Sequence, residues 1–170
     1  DFEGAIADYD CVLKINRRHA LAHHNRGWAR YHQGKYDLAI ADFTQAYRLK
    51  PDANTALALY IVHARNGGNG RKELASVITG QDSKAWPAPI VDLYLGKSSP
   101  VNVTKAAGHH HPWTRRAQSC EASFYIGEWL LLKGERASGI NFLRLVRDHC
   151  PRSITGHPDA IHELRRLGEH

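Results

Sequence analysis

Ala5-Ile6-Ala7-Asp8-Tyr9 recurs 34 positions later as Ala39-Ile40-Ala41-Asp42-Phe43, and this pair decides the architecture. At the same offset Phe2 is matched by Tyr36 and Ile15 by Leu49, so four identities and three conservative matches share one register. Similarity at a fixed period of this size marks a chain assembled from supersecondary units, each unable to bury its apolar face alone. A second offset, 100, relates Gly27 to Gly127, Gly34 to Gly134, Ala39 to the small Gly139, Ile40 to Ile140 and Pro51 to Pro151. Three periods of the first offset span nearly that distance, which leaves room for two divergent units between the copies.

Local signals make those units helical hairpins. Leu21 to Gln33 and Tyr36 to Leu49 read as two helices, each about 20 Å long at roughly 1.5 Å per residue. Gly34 between them suits the left-handed backbone of a tight helix-ending turn, and Pro51 ends the second helix. Gly27 and Ala39 are expected to meet where the antiparallel helices cross. The divergent units carry a Gly67-Gly68-Asn69-Gly70 turn and a Gly96 to Pro100 turn after the apolar Ile90 to Leu95 segment. Pro158 is placed to open a last helix, with Ile161, Leu164 and Leu167 at i, i+3 and i+6 giving one apolar face.

Gly27, Ala39, Phe43 and Pro51 stand at a small, small, aromatic, proline spacing that resembles the tetratricopeptide repeat. His23, Arg26 and Arg30 depart from that pattern, where tryptophan, leucine and tyrosine are usual. The resemblance implies an all-α, right-handed superhelical solenoid of helix-turn-helix hairpins, with about four and a half repeats. Its expected parts are a half repeat over 1–19, a repeat over 20–53, divergent repeats over 54–81 and 82–119, a repeat over 120–153, and a capping helix over 157–168.

Composition narrows the function classes. At 42% hydrophobic and 24% charged the chain is neither disordered nor membranous. Its longest apolar stretches, Trp129 to Leu132 and Ile90 to Leu95, are too short to span a bilayer, so no direct membrane insertion is expected. An excess of 23 Lys and Arg over 17 Asp and Glu gives +6. The basic residues are scattered in pairs such as Arg17-Arg18, Arg115-Arg116 and Arg165-Arg166 rather than striped with aromatics, which argues against nucleic acid. The chain opens on Asp1 and holds no methionine, as expected of a fragment or processed form that would lack any targeting signal.

Twelve histidines invite a metal reading. His109-His110-His111 reads as an inter-helix loop, however, and His19 and His23 at i, i+4 lack a third ligand at a motif spacing. No phosphate loop, G-x-S-x-G elbow or Cys-x-x-Cys pair occurs. The expectation is a chain that is not an enzyme, with no catalytic residue, cofactor or metal. The alternative is an enzyme or metal-binding protein whose site is not recognisable from sequence.

The resemblance places the first helix of each repeat on a concave, ligand-bearing side. His24, Trp28, Tyr31 and His32 share one face of that helix, with Asn25 beside them, and their counterparts 100 positions on include Phe124, Glu128 and Leu131. These are the candidate partner-binding residues; packing of Trp28 and Tyr31 against a neighbouring repeat is the competing reading. The expected partner is a protein or peptide, with homodimerisation left open. A carboxylate clamp of the chaperone-tail kind is disfavoured, because Thr55 and Leu59 stand where basic residues would be wanted.

Trp86-Pro87-Ala88-Pro89-Ile90-Val91-Asp92-Leu93-Tyr94-Leu95-Gly96, followed by Phe124-Tyr125-Ile126-Gly127-Glu128, resembles the later repeats of the bacterial new lipoprotein I family. That resemblance implies a periplasmic or cell-envelope adaptor. In the hairpin alignment Cys120 begins one helix and Cys150 ends its antiparallel partner, so a disulfide between them is expected. It fits an oxidising compartment, with Cys11 left as a free thiol.

Overall fold

The structure is a computed structural model that describes residues 1–78, 85–108, 110–154 and 156–169. Among the described residues it contains ten α-helices packed in sequential pairs, in two compact units divided after Gln81. The expected boundary between residues 81 and 82, and His109, lie outside the described residues. No described helix is long and apolar enough to cross a membrane.

The first unit holds α1 (Phe2–Ile15), α2 (Ala20–His32), α3 (Tyr36–Leu49), α4 (Ala53–Arg65) and α5 (Arg71–Ile78). α2 starts and ends one residue earlier than its periodicity predicts. His19 caps it, its Nδ1 accepting from the Ala22 N–H at 3.1 Å. Gly34, at φ +73°, turns the chain into α3, a conformation that a Cβ would strain. Gly27 is small because the Phe43 ring lies on it: a Cβ there would sit 2.8 Å from Phe43 Cε1. That contact, together with fully buried Ala39 and Ala46 at 2% exposure, draws α3 close to α2. α4 is apolar almost all round because it is the core of this unit, with Leu57, Leu59, Ile61 and Val62 buried. Asp52 caps it by accepting from the Thr55 N–H at 2.8 Å.

The second unit holds α6 (Ala88–Tyr94), α7 (Pro100–Ala106), α8 (Pro112–Leu132), α9 (Arg136–His149) and α10 (His157–Arg166). The expected boundary between residues 119 and 120 falls inside α8, one continuous helix of 21 residues. Nothing interrupts it, because Pro112 sits at its first position, where proline is tolerated, and no glycine follows until Gly127. Gly134, at φ +82°, repeats the role of Gly34. In this hairpin the two small positions meet: a Cβ on Gly127 would lie 3.2 Å from Gly139 O, and one on Gly139 would lie 3.0 Å from Gly127 O. Tyr94 Oη donates to Tyr125 O at 2.8 Å and ties α6 to α8.

One further expectation changes in this unit, and the expected disulfide is present. α10 buries His157, Ala160, Glu163 and Leu164, so its inward face centres on the Ala160–Leu164 pair at i, i+4, with Ile161 and Leu167 only half-buried at its flanks. Cys120 Sγ, inside α8, and Cys150 Sγ, at the C-terminal cap of α9, are bonded, with Cα atoms 5.9 Å apart, away from the Gly134 turn that joins the two helices; Cys11 is free and exposed.

Candidate protein-binding face

α2 carries two unlike sides. On one, Arg26 and Arg30 converge on Asp42 of α3, a carboxylate only 3% exposed. Arg26 donates from Nε to Oδ2 at 2.9 Å and from Nη2 to Oδ1 at 2.6 Å, and Arg30 Nη1 donates to Oδ2 at 2.6 Å. His23 Nδ1 lies 3.2 Å from Oδ1, and Arg26 Nη1 also reaches Asp10 of α1. The hydrogen bonds that Arg26 donates to Asp42, and secondarily to Asp10, hold its guanidinium above its ordinary range against the opposing effect of burial. The three departures from the repeat pattern are therefore one event. His23, Arg26 and Arg30 replace an apolar contact by a shared ion cluster that clamps α1, α2 and α3 together.

The other side is built from rings. Trp28 stacks on His32 with centroids 5.9 Å apart, and meets Tyr31 at 5.3 Å and Phe43 at 5.4 Å edge to face. Phe2 of α1 stacks on His32 at 5.3 Å. Trp28 Nε1 can only donate, and it points at His24 Nε2, 3.1 Å away, so the imidazole carries its proton on Nδ1. That proton goes to Thr55 Oγ1 at 3.1 Å, and the Thr55 hydroxyl in turn donates to Asp52 Oδ2 at 3.0 Å. A relay of three hydrogen bonds thus fixes the Trp28 indole to the start of α4.

The predicted residues separate on this geometry. His24, Asn25, Trp28 and His32 are half-buried at the surface, whereas Tyr31 is 4% exposed and belongs to the core. Packing and display are combined in Trp28, so the two readings of it are not exclusive. The proposed counterparts in the second unit do not form a face. Phe124 at 2% and Glu128 at 1% exposure are buried, the Phe124 ring lying under Gly156, and Leu131 packs against Gly139. Sequence reasoning also missed Leu21, which is 61% exposed. Leu21, Asn25, Trp28 and His32 fall at i, i+4, i+7 and i+11, a straight stripe along α2, and that spacing was readable. Among the described residues the Asn25 side-chain amide has no hydrogen-bond partner, so both its donors and its acceptor are open to a ligand.

The family pattern of the tetratricopeptide repeat matches residues 20–53. The repeat so delimited consists of α2, its Gly34 turn, α3 and the Pro51 stop, and the stripe runs along its first helix. A tetratricopeptide repeat points to protein–protein interaction in general. Among the described residues no group of three or more His, Cys, Asp and Glu side chains is arranged to hold a metal ion. His19 and His23, the sequence candidates, are occupied as a helix cap and a ligand of the Asp42 cluster.

Proposed function

We propose that this protein is a non-catalytic adaptor that holds an extended segment of a partner protein along the Leu21, Asn25, Trp28 and His32 stripe of α2. The observation that carries this reading is the unengaged Asn25 amide set between an exposed Leu21 and a fixed Trp28. An extended peptide needs a backbone hydrogen-bond partner and an apolar anchor, and the stripe offers both on one rigid helix. We further propose that the adaptor works in a bacterial cell envelope. The resemblance of Trp86 to Gly96 and of Phe124 to Glu128 to the new lipoprotein I family supports this, as does the pairing of Cys120 with Cys150.

Affinity capture with the full chain, followed by mass spectrometry, tests the proposal when run beside Leu21→Ser and Asn25→Ala variants. Both substitutions leave the core untouched. The expected result is a partner captured by the parent chain and lost from both variants, with unchanged helical circular dichroism. A partner retained equally by both variants would remove the stripe from the function.

A further inference from the structure

We propose that the segment held by this face is an acidic peptide carrying an apolar side chain, an inference that rests on the adaptor reading and narrows it. α2 and α4 contain no Asp or Glu along their lengths, whereas α1 and α3 carry Glu3, Asp8, Asp10, Asp37 and Asp42. In the first unit acidic residues thus avoid the first helices, unlike in α8, which carries Glu121 and Glu128. The first helices, which touch through His24 and Thr55, are left without them. The carboxylate nearest that junction, Asp52, is engaged by the Thr55 N–H and hydroxyl.

The arginines of α2 do not offset this segregation on the stripe side. At roughly 100° per residue, Arg26 and Arg30 project about half a turn away from Leu21, Asn25, Trp28 and His32, where Asp42 and Asp10 neutralise them. Arg17 and Arg18 are exposed in the turn that leads into α2 and, among the described residues, form no ion pair, so they put positive charge at the N-terminal end of the helix along which the stripe runs. The helix dipole adds to the same sign there. A ligand complementary to this surface places an apolar group against Leu21 and Trp28, its backbone at Asn25, and its carboxylates toward Arg17 and Arg18. Leu21 to His32 spans about 16 Å of helix, the length of about five extended residues.

The same rings argue for a peptide over a single-stranded nucleic acid. Base stacking needs an open aromatic face. His32 stacks on Trp28, and Phe43 and Tyr31 pack around the indole, so much of the ring is already engaged within the protein.

The test is fluorescence anisotropy on the full chain. The probes are a labelled peptide of glutamate pairs separated by single leucines, its lysine-for-glutamate counterpart, a leucine-free polyglutamate, a labelled single-stranded oligonucleotide, and vesicles containing anionic phospholipid. The glutamate–leucine peptide is expected to bind best, with affinity falling as salt rises. Affinity is expected to weaken about tenfold or more in an Arg17→Glu, Arg18→Glu double variant and in Leu21→Ser, whose helical signal is unchanged. The inference is overturned if that peptide does not bind, if the lysine counterpart binds as tightly, or if charge reversal has no effect. Tighter binding of the oligonucleotide or the vesicles with the same residue dependence also overturns it. Capture of a cellular partner that depends on Leu21 and Asn25 but ignores the Arg17 and Arg18 reversal would refute the acidic ligand alone and leave the adaptor reading standing.

Discussion

Replacing Asp42 with alanine removes the anion on which His23, Arg26 and Arg30 converge, and its cost can be worked from their exposure. Breaking a fully buried ion pair from one side costs about 3–5 kcal/mol, because a charge is left without its partner. Here the Asp42 side chain is 4% accessible, but those of Arg26 and Arg30 are 15% and 17% accessible, and Arg26 keeps Asp10. Partial re-solvation of the two guanidinium groups lowers the expected loss to about 2–3 kcal/mol. The companion variant carries His23→Trp, Arg26→Leu and Arg30→Tyr together with Asp42→Ala, which restores the usual repeat residues and removes the stranded charges. Apolar replacement of a whole buried ion cluster is typically neutral or stabilising, so this variant should return to within about 1 kcal/mol of the parent or exceed it. Hydrogen–deuterium exchange on the full chain reads the opening free energy of α2 and α3 directly and separates it from that of the second unit. The reasoning fails if Asp42→Ala leaves α2 and α3 protection within about 0.5 kcal/mol of the parent. It fails equally if the fourfold variant is less stable than the single one.

Cys150→Ser opens a bridge of sequence separation 30 and should destabilise α8 and α9 by about 3–4 kcal/mol in urea unfolding. Thiol titration of unreduced parent protein in denaturant should find one reactive group, Cys11, and a count of three would refute the bridge. Glu121, half-buried, accepts from Trp86 Nε1 at 2.6 Å, and burial pushes its carboxyl above the ordinary 4.5 despite that bond. Between the ordinary and the raised value the folded chain therefore binds more of this proton than the unfolded chain does. Stability contributed by this group is complete below the ordinary value and is lost as pH rises through the raised one. Glu121→Gln should match the parent at pH 4 and be more stable at pH 7 in thermal unfolding, and a glutamine variant no more stable at pH 7 would contradict the burial argument.

The hairpin of residues 20–53 was legible because two independent offsets fixed its small, aromatic and proline positions, and each has a local steric reason: Phe43 on Gly27, positive φ at Gly34. The ion cluster was half legible. His23, Arg26 and Arg30 stood out as departures, and Asp42 lies in the repeated Ala-Ile-Ala-Asp motif. The same motif in α1 leaves Asp8 exposed, so burial of the anion is a property of α2 lying over α3 and not of the motif. Transfer of the face to Phe124 and Glu128 failed for a related reason. Phe124 is covered by Gly156, which belongs to a segment outside the repeat pattern, where an offset of 100 has no counterpart to warn of it. The boundary at 119 failed because periodicity alone does not stop a helix; a stop needs a breaker, and between Pro112 and Gly127 there is none.

The departures from the repeat pattern also bear on what the face can do. An apolar contact at positions 23, 26 and 30 would hold α2 equally well but would leave the acidic residue of the Ala-Ile-Ala-Asp motif without a cation. Drawing Arg26 and Arg30 inward onto Asp42 satisfies that carboxylate and takes two cations off the general surface. The free cationic character of α2 is then confined to its N-terminal turn at Arg17 and Arg18, at one end of the stripe. A ligand met by charge at one end and by apolar contact along the rest is oriented, not merely attracted. Orientation has value only if the receiving surface is fixed beforehand. The Trp28–His24–Thr55–Asp52 relay and the clamp of α2 by α1 and α3 supply that rigidity, so that the side chain ordering cost of binding falls mainly on the partner.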